Sequence, residues 1–183
     1  MKQLTTVLLL APALFFLVSP IIAQEKRISP HETINATIDG DQITVVYGRP
    51  YTKDPKTGAK RKIWGGLVPF GKTWRTGADE ATLLTTSQPI ELGGTSILAG
   101  TYSIFTFPEE NGSAKLIINK QTGQWGTKYD EKQDLARIDM KKESIGNYVD
   151  QLTIAVEGNP SGGGTLKLMW ENTQYSVPFT VKK

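Results

Sequence analysis

Six residues in the middle of the chain carry most of the chemistry this sequence offers: Arg49, Trp64, Trp74, Arg75, Asp79 and Glu80. All but Arg49 fall in one run, Arg61 to Thr82 (RKIWGGLVPFGKTWRTGADEAT), where tryptophans, arginines and an acidic pair are interleaved with glycines and a proline. The run is too irregular for one strand or one helix. It has the composition of a shaped loop on a scaffold, where proteins usually keep binding and catalytic groups. Tryptophan faces stack on sugar rings, and guanidinium forks hold carboxylates. A pocket floored by Trp64 or Trp74, with Arg49, Arg75, Asp79 and Glu80 as polar contacts, would suit a glycan or a small anionic ligand. A structural reading competes with this. Arg49 follows Ile43, Val45 and Tyr47 at even spacing, so on one strand it shares their apolar face. A guanidinium there needs a carboxylate, because an unpaired buried charge is very costly. Glu80 and Asp79 are the natural partners and Arg75 a second donor, which would clamp the loop to its scaffold.

Other chemistries are narrowed by what the chain lacks. It has no cysteine and one histidine, His31. Disulfides, thiol catalysis and thiolate metal sites are therefore out, and a zinc or copper site would need carboxylates for every other ligand. A serine triad would have only His31 as its base, and no Gly-x-Ser-x-Gly elbow is present. Asp39 and Asp41 are compatible with calcium, but Asp39-Gly40 is also a common hairpin-turn pair. No metal and no cofactor is expected. Glycoside hydrolysis needs two carboxyl groups across about 5–10 Å. Asp79 and Glu80 are adjacent, and on a regular strand neighbours point to opposite faces, so each would need a distant partner. The basic run Lys53, Lys56, Lys60, Arg61, Lys62, interrupted by Asp54, is expected to be a solvated loop. Trp170, and by weight of precedent Trp125, are expected in the core.

Period-two alternation runs through the elements that must hold these residues. Ile43, Val45 and Tyr47 share a face, as do Leu116 with Ile118, Leu152 with Ile154 and Val156, and Leu166 with Leu168 and Trp170. Tyr175, Val177, Phe179 and Val181 do the same. Turn pairs separate the runs: Asp39-Gly40, Gly93-Gly94, Asn111-Gly112 and the Gly162–Gly164 triplet. Tyr102 to Phe107 is apolar on both faces, as a central strand is. Only Lys141 to Asp150 is open to a turn or two of helix. The pattern predicts an all-β fold, an antiparallel sandwich of jelly-roll or immunoglobulin-like type with about ten strands.

Several stretches resemble a bacterial family of exported proteins, domain of unknown function 2911, found largely in Bacteroidota. They are Ser29-Pro30-His31-Glu32-Thr33, Tyr47-Gly48-Arg49-Pro50, the whole Arg61–Thr82 run, the segment from Leu98 to Thr106, and Ile118-Asn119-Lys120 with Gln124-Trp125-Gly126. The resemblance covers about residues 29 to 181. It implies export and an all-β fold and brings no assigned activity. This chain departs from the family pattern at Asp79, where Asn is usual, and between Thr52 and Lys60, which is longer than usual.

The first 23 residues have the layout of a secretory signal peptide: Lys2, an apolar stretch from Val7 to Val18, a break at Ser19-Pro20 and a small residue, Ala23, at the cut. The apolar core of about 12 residues is short of the ~20 needed to span a bilayer. The expectation is cleavage and a mature chain, 24–183, that forms one domain in the periplasm or outside the cell, with no membrane span. The formal net charge of the full chain is only +3, with acids and bases interleaved, which does not favour nucleic acid. The leading function is a non-enzymatic binding or envelope-associated module. The rivals are a glycan-active hydrolase using Glu80 or Asp79 and a purely structural domain.

Overall fold

Strands form where the alternation is. In the computed structural model, which describes residues 27–182, the predicted runs at 43–47, 116–118, 152–156, 166–170 and 175–181 all lie in strands. The expected signal peptide falls outside the described residues. Nine strands are present: β1 (His31–Ile38), β2 (Asp41–Gly48), β3 (Ala78–Thr86), β4 (Ile90–Leu92), β5 (Thr95–Ile97), β6 (Gly100–Pro108), β7 (Ala114–Asn119), β8 (Asp134–Gly158) and β9 (Gly164–Val181). One short 3-10 turn, Glu131–Gln133, precedes β8. No described helix is long and apolar enough to cross a membrane.

All the strand pairs are antiparallel, and hydrogen bonding runs through one sheet in the order β1-β2-β3-β6-β7-β8-β9-β4-β5. The all-β antiparallel expectation holds, and the Tyr102–Phe107 segment is central, between β3 and β7. The sheet is continuous because β8 is 25 residues long. Its first part, Asp134–Met140, pairs with β7, and Lys141–Gly158 pairs with β9. Sequence spacing suggested about ten short strands. The count is nine because β8 and β9 each absorb what local pattern divides. The Lys141–Asp150 segment is strand, not helix, since β9 offers a ladder that outweighs weak local preference. Register shifts between Ser144 and Val149 and between Val149 and Thr153 bend it, with Glu171 opposite at φ 53°.

The two ends of the sheet share one core. Ile43, Val45 and Tyr47 of β2, Leu84 of β3, Ile104 of β6 and Leu116 of β7 belong to the same buried cluster as Leu152, Ile154, Leu168, Trp170, Tyr175 and Phe179 of β8 and β9. Residues just past β2 join the middle of β8: Leu152 N–H donates to Pro50 O at 3.0 Å, and Thr52 N–H to Asp150 O at 2.7 Å. The phenol of Tyr47 accepts from Ile154 N–H at 2.9 Å. The turn between β1 and β2 is left-handed at both central residues, Asp39 (φ 48°) and Gly40 (φ 86°), the geometry that matches strand twist. Both nearby aspartates brace this end of the fold. Asp39 accepts from Gly163 N–H at 2.6 Å, and the fully buried Asp41 accepts from Thr86 Oγ1, Ser87 N–H and Oγ, and Gln88 N–H.

Candidate functional site

The acidic pair sits where β3 leaves β2. Their ladder is regular from Ile43 opposite Thr86 to Val46 opposite Leu83, then jumps to Gly48 opposite Ala78. Residues 79–81 are carried instead by the Gln124-Trp125-Gly126 segment: Gly126 N–H donates to Asp79 O at 2.9 Å, and Ala81 N–H to Gln124 O at 3.1 Å. Two non-glycine residues of this stretch have left-handed backbones, Thr76 (φ 53°) and Asp79 (φ 64°). Aspartate and asparagine tolerate that region better than other side chains. Thr76 is β-branched and is held there by hydroxyl contacts, its Oγ1 2.8 Å from Thr106 Oγ1 and its carbonyl accepting from Thr82 Oγ1 at 3.0 Å. A left-handed residue cancels strand alternation. Asp79 and Glu80 therefore do not diverge as a regular strand requires. Asp79 Oδ2 lies 3.2 Å, and Glu80 Oε2 3.5 Å, from the same nitrogen, His31 Nε2.

Glu80 is gripped at both oxygens by Arg27, at 2.6 and 2.7 Å. Partial burial pushes its carboxyl upward, but the Arg27 hydrogen bonds and the charges of Arg27 and His31 outweigh this and hold it below the usual glutamate value. Arg49 is not part of this set. The expected clamp to Glu80 or Asp79 is replaced by an ion pair with Glu32 on the neighbouring strand (2.9 Å) and by bonds to Leu152 O (3.0 Å) and Thr153 Oγ1 (2.9 Å) on β8. Arg49 thus ties β2 to β1 and β8, because the strand after Tyr47 runs toward β8 and not toward the acidic bulge.

Beside the bulge lies an open groove of about 490 Å³, within the size range of small-molecule sites. Its charged lining is Arg61, Arg75 and Asp79; its apolar and aromatic lining includes Ile28, Leu67, Trp74, Phe105 and Tyr129. Arg75 forms no hydrogen bond or ion pair among the described residues, although it is half-buried. Its stem lies over Gly126, where an added Cβ would come within 2.6 Å of Arg75 Cδ and 2.9 Å of Asp79 O. Arg61 donates through Nη2 to Tyr51 O, and its buried Nε has no partner. The Tyr129 phenol donates to Asp134 at 2.5 Å and accepts from Arg137 at 2.9 Å; burial and that acceptor push it up to about 12.

The tryptophans serve the core more than the groove. Trp74 is 7% exposed and stacks on Trp170, with ring centroids 6.0 Å apart. It also lines the groove. Trp64 packs edge-on against Tyr175 and does not line the groove. Trp170 is fully buried, as alternation predicts, whereas Trp125, expected in the core, is 46% exposed. Its flanking residues explain this: Gln124 and Gly126 are buried toward the bulge they carry, so the residue between them faces out.

Of the six sequence candidates, Trp74, Arg75 and Asp79 meet in the groove. Glu80 lines a smaller hollow of about 270 Å³ with Arg27, His31 and Tyr47, while Arg49 and Trp64 lie in neither. Asp79 and Glu80 converge on His31 yet line different hollows, and Glu80 is held ionised by Arg27. A general acid needs the opposite, a carboxyl kept protonated near neutrality. Arg27, Gly126 and Tyr129 carried no sequence signal that tied them to the site. Arg61 was visible within the motif, but only as part of a basic run. No group of three or more potential metal ligands occurs among the described residues. No curated protein and no solved structure matches the chain. A family model does match: the one described as a protein of unknown function, DUF2911, covers residues 29–179, and the chain belongs to that family.

Proposed function

We propose that this protein is an exported, non-enzymatic binding module that holds a small carboxylated ligand in the groove beside the β3 bulge. The observation that carries this reading is Arg75: a half-buried arginine on the lining of an open groove, with no carboxylate within 4.0 Å of its guanidinium among the described residues. An arginine fork is matched to carboxylate geometry, and an unengaged one on a groove lining is free to take a ligand's carboxylate. Arg61 lines the same groove and adds a second positive charge to it. The apolar walls supply contact area, and the arginines orientation, as in most small-ligand sites. Export rests on the leader-like first 23 residues.

The test is a thermal-shift and calorimetric titration of the purified protein with carboxylates and their neutral counterparts: glucuronate against glucose, and N-acetyl-leucyl-leucine against its C-terminal amide. At least one carboxylate should bind saturably while its neutral counterpart does not. Arg75→Met should weaken that binding at least about tenfold, equivalent to about 1.4 kcal/mol. The melting temperature without ligand should stay close to that of the wild type, since Arg75 makes no ion pair among the described residues. Equal binding of charged and neutral members, or an Arg75→Met variant that binds like wild type, would overturn the proposal.

A further inference from the structure

The groove holds a carboxylate of its own, Asp79, on the same lining as Arg75. Both residues border Gly126: a Cβ built there would lie 2.6 Å from Arg75 Cδ and 2.9 Å from Asp79 O. Two opposite charges so close along the backbone would be expected to pair, yet no Arg75–Asp79 contact within 4.0 Å exists. Asp79 turns one oxygen, Oδ2, toward His31 at 3.2 Å, and its other oxygen accepts no hydrogen bond among the described residues. The left-handed backbone at Asp79 fixes this arrangement, because it swings the side chain out of the strand's alternation. The groove therefore presents a donor fork and a separate acceptor, with apolar wall from Ile28, Leu67 and Phe105 alongside.

We infer that the ligand is a zwitterion, a short peptide with both ends free, whose carboxylate sits on Arg75, whose ammonium sits on Asp79 and whose apolar side chain lies on the Ile28–Leu67–Phe105 wall. This rests on the binding function proposed above and narrows its ligand class. A sugar acid satisfies Arg75 but leaves the second oxygen of Asp79 without a donor and sets another anion beside it, which is unfavourable in a partly desolvated groove. A peptide with a free amine satisfies both. A volume of about 490 Å³ is within the small-ligand range and leaves room for more than one residue.

The experiment titrates the purified protein with leucyl-leucine, N-acetyl-leucyl-leucine and leucyl-leucinamide, and repeats each titration with Asp79→Asn and Arg75→Met. Asparagine keeps the left-handed backbone and the shape at position 79 while removing the charge. Wild type should bind the free dipeptide at least tenfold more tightly than the N-acetyl form. Asp79→Asn should bring that ratio close to one, with its affinity for the N-acetyl form undiminished. Arg75→Met should lose the free and the N-acetyl forms together. Should the N-acetyl form equal the free dipeptide in wild type while Arg75 remains essential, the zwitterion inference falls and the carboxylate-binding reading stands. If Arg75→Met changes nothing, both fall; if none of the three peptides binds while glucuronate does, the zwitterion inference falls and the carboxylate-binding reading stands. A free dipeptide that keeps its advantage in Asp79→Asn overturns the role given to Asp79.

Discussion

Replacing Tyr47 by phenylalanine tests how the sheet is closed on itself. Tyr47 is 1% exposed, and its hydroxyl bridges two strands that are not neighbours in the ladder: it donates to Glu32 Oε2 at 3.0 Å and accepts from Ile154 N–H at 2.9 Å. Phenylalanine fills the same space, so packing is nearly unchanged and the loss is the hydroxyl's alone. Glu32 keeps its ion pair with Arg49 and remains partly solvated. The Ile154 N–H, like that of Leu152 two residues before it, points away from β9, and Tyr47 is the acceptor it meets there. An unsatisfied buried donor costs about 1–3 kcal/mol. At about 2–4 °C per kcal/mol for a chain of this size, the melting temperature at pH 7 should fall by about 2–12 °C. The alkaline limb adds a second readout. Burial pushes the Tyr47 phenol up from 10.0 to about 12, against the bond from Ile154 N–H and the charge of Arg49, which lower it. A folded-state value above the unfolded one means the contribution is fully present below pH 10 and is lost as pH rises toward 12. Tyr129 titrates in the same window. Tyr47→Phe should therefore flatten, without abolishing, the loss of stability between pH 10 and 12, followed by circular dichroism melts across that range. A melting temperature within 1 °C of wild type at pH 7, with an unchanged alkaline slope, would refute the assignment of this hydroxyl as a structural bridge.

Two further perturbations address the site. Gly126→Ala places a methyl group against Arg75 Cβ and Cδ and Asp79 O, so Arg75 must swing away or the 124–126 segment must retreat from the bulge; a cost of about 1–3 kcal/mol is expected, with loss of carboxylate binding in the same titration that tests Arg75. Glu80→Gln removes an ion pair whose two side chains are 39% and 40% exposed, which limits its value at pH 7 to about 0–1 kcal/mol. Because Glu80 is held below its ordinary value, that contribution is present above the unfolded-state value and is lost as pH falls through the folded one, so melts at acid pH should show wild type and variant converging.

The arginines and carboxylates show where sequence reasoning stops. Period-two spacing placed Arg49 on the face of Ile43, Val45 and Tyr47 and demanded a carboxylate for it; the demand was right and the partner, Glu32, was not the one sequence proximity to the motif suggested. Glu32 sits opposite Tyr47 in the β1–β2 register, a relation that exists only once the hairpin has formed. Strand geometry also predicted that Asp79 and Glu80 diverge. One left-handed residue, Asp79 at φ 64°, defeats that rule, and a positive φ at an aspartate has no sequence marker beyond the residue type. Trp125 is exposed although most tryptophans of small β domains are buried, since its neighbours Gln124 and Gly126 turn inward to carry the bulge.

Alternation and turn residues by themselves determined that this protein is an antiparallel β fold, which side chains line its core, and that the Arg61–Thr82 run is irregular. Those properties depend on neighbours two to four residues apart, and a chain carries that information locally. Tertiary structure alone decided that β8 passes from β7 to β9 as one strand, that Arg49 belongs to Glu32 and β8, that the acidic pair converges on His31, and that Arg75 faces a groove unpaired. Each of these depends on which distant segment arrives at a given edge, and that is set by the closure of the whole sheet around its shared core.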